Sequence, residues 1–117
     1  MTGEYTKWYN YDYPLTDSTE EDCLKNIKFL FEKAVSKRLM SDRPVGCLLS
    51  GGLDSSLVVA LVARHFEKGK LETFSVGLEG SEDLKYAKMV ADHCGTKHHE
   101  IVLSEAEMLE AIEEDIK

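Results

Sequence analysis

The sequence predicts an α/β fold: a doubly wound parallel sheet of the Rossmann-like kind, preceded by one helix and amounting to part of a domain. Three observations carry that reading. After a first amphipathic helix the apolar pattern alternates β-α-β-α-β-α with short connections, the order of a parallel sheet with right-handed crossovers. The run Val45 to Leu49 is short, apolar and set between a proline turn and a Ser-Gly-Gly, as suits a buried parallel strand. The last helical pattern runs to Lys117 without a C-cap glycine, which predicts a truncated domain.

Residues 1–17 are rich in Tyr and Trp, contain Pro14 and show no sustained period; they read as an extended, linker-like lead-in whose aromatics pack against something. Residues 18–117 form the domain part. Ser18 and Glu21 are spaced as a capping box, and Thr19 with Asp22 offers the same one register on. Leu24, Ile27, Phe31, Ala34 and Val35 then recur at helical spacing, which predicts a helix from about Glu20 to Leu39. Pro44 turns the chain into the first strand, Val45 to Leu49. Ser55 to Glu67, apolar nearly all round in its first half, predicts a helix buried against the sheet and closed by Gly69. Glu72 to Gly77 is the second strand. Leu84, Ala87, Ala91 and Cys94 define an amphipathic helix ending at Gly95, a natural C′ residue. His98 to Leu103 is the third strand, and Ser104 with Glu107 opens a last helix carrying Met108, Leu109, Ile112 and Ile116. Three such units lay down one side of a doubly wound sheet, so the first strand expects a further partner on its other edge, at the switch point where ligands sit.

Composition bounds what such a fold is for. A chain of 117 residues, 43% hydrophobic and 9% aromatic, is ordinary globular protein. Its net charge of −8 argues against non-specific binding to nucleic acid or anionic membrane, both of which attract basic surfaces. The longest apolar run, Leu57 to Ala63, is far short of the roughly 20 residues of a membrane span. Met1-Thr2-Gly3-Glu4 lacks the basic start and apolar core of a secretory signal, so the expected address is cytoplasmic. Cys23, Cys47 and Cys94 are odd in number and widely spaced; they read as buried, reduced thiols rather than a disulfide framework or zinc site.

The chemistry concentrates in Ser50-Gly51-Gly52-Leu53-Asp54-Ser55-Ser56, a turn between the carboxyl end of the first strand and a helix N-terminus. Binding crevices of open α/β sheets lie there, and the free N–H groups and positive end of the helix favour an anion. Gly51 and Gly52 let the backbone approach phosphate oxygens and allow positive φ, and three serines add hydroxyl donors. Asp54 is the odd member, since a carboxylate repels a phosphate; a divalent metal between them resolves the conflict. The turn is neither G-x-x-x-x-G-K-S/T nor G-x-G-x-x-G. A plain strand-to-helix turn explains Gly-Gly alone, but not the full S-G-G-x-D-S after an apolar strand.

Residues 50–55 resemble the SGGxDS pyrophosphate-binding motif of the N-type ATP pyrophosphatases, among them the asparagine, GMP, NAD and argininosuccinate synthetases. The flanks choose between these. Residues 37–56 (KRLMSDRPVGCLLSGGLDSS) are similar to the glutamine-hydrolysing asparagine synthetase family. So are Thr73 to Leu78, Ser81 to Leu84, Ala91 to His93 and His98 to Ile101, while Lys7 to Asn10 is similar to the stretch joining that family's glutaminase and synthetase domains. The resemblance implies an adenine nucleotide α-hydrolase-like fold, with ATP and Mg²⁺ as cofactors. It also implies two steps: the side-chain carboxylate of aspartate attacks the α-phosphate of ATP, releasing pyrophosphate and forming β-aspartyl-AMP, and glutamine-derived ammonia then displaces AMP. Carried over by position, Ser50, Gly51, Gly52, Leu53, Asp54, Ser55 and Ser56 hold the pyrophosphate portion and Asp54 binds Mg²⁺. Leu49 and Val76, with Gly77, belong to the adenine side of the site. For Leu49 and Val76 the plain alternative is core packing.

The chain departs from the family where Thr2, not cysteine, follows Met1, and where it stops before a second serine-glycine-acid motif. It therefore reads as the first half of a synthetase domain, whose partner is the remaining half with its glutaminase domain, or a complementary chain. Alternatives are a β-lactam synthetase or lasso-cyclase paralogue acting on another carboxylate, or a non-catalytic nucleotide-binding or interaction module. His93, Cys94, His98 and His99 cluster in sequence, but His98 and His99 as strand neighbours point to opposite faces, which spoils a metal site. Glu105 to Asp115 reads as the solvated face of an amphipathic helix.

Overall fold

The computed structural model describes residue 3 and residues 5–10, 12–14 and 17–115, with side chains described as far as residue 111. Its elements run α1 (Glu20–Arg38), β1 (Gly46–Leu48), α2 (Leu53–Ala63), β2 (Glu72–Leu78), α3 (Glu82–Cys94), β3 (Lys97–Leu103) and α4 (Glu105–Asp115). This is the order the patterning predicts. Of the lead-in, residues 1, 2, 4, 11, 15 and 16 lie outside the described residues, and so do Ile116, Lys117 and the side chain of Ile112. Tyr5 and Trp8 stand exposed, so the packing expected of the lead-in aromatics is not made by those two.

Each helix begins where its chemistry allows. Thr19, rather than Ser18, caps α1: its hydroxyl accepts the Asp22 N–H at 3.2 Å and donates to the Asp22 carboxylate at 2.7 Å. Ser81 caps α3 by accepting the Leu84 N–H. Ser104 and Glu107 form a reciprocal box at α4, with the Ser104 N–H donating to the Glu107 carboxylate at 2.8 Å and the Glu107 N–H to the Ser104 hydroxyl at 3.3 Å. The Ser104 N–H, and after it the Ser104 hydroxyl donating at 2.7 Å, stabilise the ionised carboxyl and hold Glu107 below its ordinary range. Gly95 ends α3 in the left-handed region at φ 66°, as expected.

The boundaries of α2 differ from expectation at both ends. It starts at Leu53, inside the motif, with Gly52 as N-cap at φ −71°. It stops at Ala63 because its last turn tightens: the N–H groups of Arg64, His65 and Phe66 donate to the carbonyls three residues back. Gly69, at φ 79°, lies in the following turn and donates its N–H to the Gly95 carbonyl at 2.7 Å.

The strands form one parallel sheet in the order β1-β2-β3. Two right-handed crossovers moving the same way place α2 and α3 on the same face. There Leu49, Val59, Ala87 and Ala91 form a buried cluster joined by Cys47, Val90 and Cys94. A second cluster, Val35, Leu61, Val62 and Leu71, packs α2 against α1. Sandwiched between sheet and α1, α2 is apolar on both sides for that reason. Burial of a side chain the size of Leu49 or Leu61 contributes about 1.5–3 kcal/mol. β1 is an edge strand, and among the described residues nothing pairs with its other edge. The face opposite α2 and α3 is open and carries Leu48, Phe74, Val76 and Ile101.

The cysteines require one correction. Cys47 and Cys94 are partly buried in the Leu49 cluster, and burial pushes both thiols up from their ordinary value. Cys23 is exposed on α1. A neutral-pH maleimide pulse is therefore expected to label Cys23 first, with Cys47 and Cys94 at least tenfold slower until the protein is unfolded. Peptide mapping of the adducts reads this, and equal rates at the three sites would contradict the packing.

Candidate nucleotide-binding site

At the carboxyl end of β1 the chain turns through Ser50-Gly51-Gly52 into α2. Gly51 alone of the two glycines takes positive φ, at 82°. A β-carbon built on it meets the Asp83 carbonyl oxygen at 2.5 Å, the Ala87 nitrogen at 2.9 Å and the Tyr86 β-carbon at 3.0 Å. Gly51 is thus where the turn passes against the first turns of α3. Gly52 does the opposite. Its φ is ordinary, and a β-carbon there meets only the Ser50 hydroxyl, at 3.5 Å. The space beside Gly52 is open for a ligand, and within this turn positive φ is confined to Gly51.

The serines tie the turn to itself. The Ser50 and Ser55 hydroxyls lie 2.9 Å apart, and the Ser50 N–H donates to Ser55 Oγ at 3.3 Å. Ser56 Oγ donates to the Gly52 carbonyl at 2.6 Å, and Ser55 Oγ lies 3.2 Å from the same oxygen. The Ser56 N–H makes the first bond of the helix, also to Gly52 at 3.1 Å. What no side chain does is cap α2. The starts of α1, α3 and α4 are each satisfied by Ser or Thr. The start of α2 presents its first N–H groups and its positive end to whatever binds over Gly52.

Asp54 sits exposed in that first turn. One carboxylate beside hydroxyl oxygens matches the way Mg²⁺ is held on phosphate substrates, by one or two carboxylates with water and phosphate supplying the rest. The described residues contain no group of three His, Cys, Asp or Glu side chains able to hold a metal ion by themselves.

Beside the turn lies a cleft of about 340 Å³ lined by Leu48, Leu49, Ser50, Phe74, Ser75, Val76 and Ile101. The expected residues divide here. Val76 stands 61% exposed on the open face. Leu49 borders the cleft but is only 1% exposed and belongs chiefly to the core. Its neighbour Leu48, 83% exposed, presents the apolar surface instead. Gly77 does not line the cleft: its α-carbon packs under Leu84 and Ser81, 3.0–3.1 Å from where a β-carbon would lie. Leu53 is exposed beyond the turn. Sequence reasoning missed Leu48, Phe74, Ser75 and Ile101. The signal available for Phe74 was strand alternation, which puts it on the same face as Val76.

His98 and His99 part company as alternation requires. His99 stacks on Phe74 on the open face, with ring centroids 4.9 Å apart. His98 turns under the helices, its Nδ1 2.9 Å from Thr73 Oγ1 and its Nε2 3.4 Å from Ser75 Oγ.

Residues 26–117 match the asparagine synthase family. The chain is 48% identical to asparagine synthetase [glutamine-hydrolyzing] 3 of Arabidopsis thaliana, the alignment covering 97% of this chain and 21% of the relative. It is 47% identical to asparagine synthetase [glutamine-hydrolyzing] of Zea mays, over 98% of this chain and 21% of the relative. With the human asparagine synthetase [glutamine-hydrolyzing] the identity is 46%, over 82% of this chain and 18% of the relative. The chain thus spans about a fifth of the length of the curated relatives it matches. A parallel α/β unit with an uncapped Ser-Gly-Gly-Leu-Asp-Ser turn, matched over residues 26–117, belongs to the asparagine synthase family.

Proposed function

We propose that the full-length protein makes asparagine from aspartate with ATP, forming β-aspartyl-AMP and pyrophosphate and then transferring glutamine-derived ammonia. This segment supplies the pyrophosphate-binding turn and one wall of the adenine cleft. The observation that carries the reading is the uncapped start of α2, opening over Gly52 beside an apolar cleft. The N–H groups of that first turn hold the β- and γ-phosphates, the hydroxyls of Ser50, Ser55 and Ser56 turn from their contacts within the turn to join them, and Leu48, Val76 and Ile101 cover the adenine.

Pyrophosphate leaves with its charge increasing, and N–H groups fixed before the reaction stabilise that charge without reorganising. Holding the triphosphate at one end also aligns the α-phosphate for attack by a bound carboxylate, which lowers the entropic part of the barrier. Asp54 would hold Mg²⁺, which when bound would neutralise part of the phosphate charge. Aspartate, glutamine and the groups that bind them belong to the rest of the relatives' length. A cytoplasmic address belongs to this reading. Separately, among the described residues no helix is long and apolar enough to cross a membrane.

ATP–pyrophosphate exchange on the full-length protein tests this. Exchange is expected only with Mg²⁺ and aspartate together, and with glutamine added the product is asparagine. Exchange driven by another carboxylate and not by aspartate would assign the chain to a paralogous amidoligase; no exchange with any carboxylate would leave a nucleotide-binding module.

A further inference from the structure

The turn is held at its root from the side of the sheet. Leu49, the residue before the motif, is gripped by two consecutive residues of β2. Its N–H donates to the Phe74 carbonyl at 2.8 Å, and its carbonyl accepts the Ser75 hydroxyl at 2.5 Å. The ladder between β1 and β2 ends one residue earlier, at Leu48 opposite Phe74. The Ser75 side chain therefore takes over where backbone pairing stops.

Ser75 is buried, 6% exposed. Its single proton is committed to Leu49, so towards His98 it can only accept; His98 Nε2 lies 3.4 Å from it and 3.5 Å from the Glu100 carboxylate. His98 is itself anchored at Nδ1 by Thr73, which continues to Thr96 at 2.8 Å. A serine fixed on both sides thus sets the peptide plane at which the chain leaves β1.

We propose that Ser75 is a positioning residue for the phosphate turn, aiming the peptide that leads into Ser50 so that the first N–H groups of α2 converge on the pyrophosphate. This rests on the reading of residues 50–56 as the ATP turn. It goes beyond that reading because Ser75 lies outside the motif and on another strand. Backbone clamps of this kind act through sub-ångström placement, to which oriented reactions are sensitive.

The test is ATP–pyrophosphate exchange on the full-length protein, with KM for ATP and kcat resolved, beside thermal melting. Ser75→Ala is expected to raise KM for ATP about tenfold, with KM for the carboxylate unchanged. Ser75→Thr keeps the hydroxyl and is expected to hold KM for ATP within about twofold of the native value. Val35→Ala, in the separate α1–α2 core, lowers the melting temperature and leaves KM for ATP alone. The proposal is overturned if Ser75→Ala leaves KM for ATP unchanged. The same follows if Val35→Ala raises it equally at equal loss of melting temperature, or if a normally folded Ser75→Thr fails to restore it. Ser50→Ala and Asp54→Asn separate the two levels. If both leave exchange intact, the phosphate turn itself is misassigned; if they impair it while Ser75→Ala does not, only the positioning role falls.

Discussion

Gly51→Ala is expected to destabilise the full-length protein by about 2–5 kcal/mol and to remove measurable ATP binding. Two costs add. An L-residue at φ 82° costs about 1–2 kcal/mol, and forcing a methyl group into packed surroundings costs about 1–3 kcal/mol more. The atoms in the way are backbone, the Asp83 oxygen at 2.5 Å and the Ala87 nitrogen at 2.9 Å, so no rotamer change relieves the overlap. Turn and α3 must separate, and the phosphate site moves with the turn. Two further glycines divide the effect into its parts. Gly80 has φ 76° with nothing near its missing β-carbon, so Gly80→Ala reports strain alone, about 1–2 kcal/mol. Gly52 has ordinary φ and open space, so Gly52→Ala is expected to cost under about 1 kcal/mol of stability, while a larger side chain such as valine weakens ATP binding by filling the ligand's space. Urea denaturation and titration calorimetry on the three variants give the order directly. A Gly51→Ala protein as stable as Gly80→Ala would mean that the turn does not lie against α3.

Asp54→Asn is expected to lower Mg²⁺-dependent pyrophosphate release on the order of a hundredfold or more while leaving the fold intact. The two halves of that statement have different origins. An acid in the first turn of a helix contributes only about 0.3–1 kcal/mol through the dipole, and Asp54 is exposed, so the amide is tolerated structurally. A metal ligand placed among phosphate oxygens stabilises the leaving charge by several kcal/mol. Activity and stability should therefore separate, and raising Mg²⁺ should recover part of the lost rate. Turnover like that of the native enzyme at limiting Mg²⁺ would remove Asp54 from the metal site.

Much of this was legible in the chain because the deciding interactions are local. The caps at Thr19 and Ser104, the left-handed Gly95 and the opposed His98 and His99 all depend on residues within a few positions of one another. The end of α2 was not legible, because its last turn closes by three-residue bonds that the apolar pattern of 55–67 does not distinguish from four-residue ones. Nor could the motif say which of two adjacent glycines takes positive φ; the α3 backbone decides that, more than 30 residues downstream. The clamp on Leu49 spans 26 residues and the Ser75–His98 contact 23. A serine and a histidine in separate strands carry no mark of that pairing until register brings them together.

The alternation of Leu48 and Leu49 has a consequence for how this segment can change in length. One leucine faces the open side of the sheet and the next faces the core, and the division is by parity alone. Adding or deleting a single residue between Pro44 and Ser50, with the motif kept in place, would shift the phase of the strand and exchange which residues serve the two faces. The connection from Glu67 to Lys70 carries no such alternation: it is tied to Gly95 by the Gly69 N–H and the Lys68 side chain, and the space beside Gly69 itself is open. A one-residue insertion between the proline and the first serine of the turn is therefore expected to cost more than one in a connection that carries no strand parity.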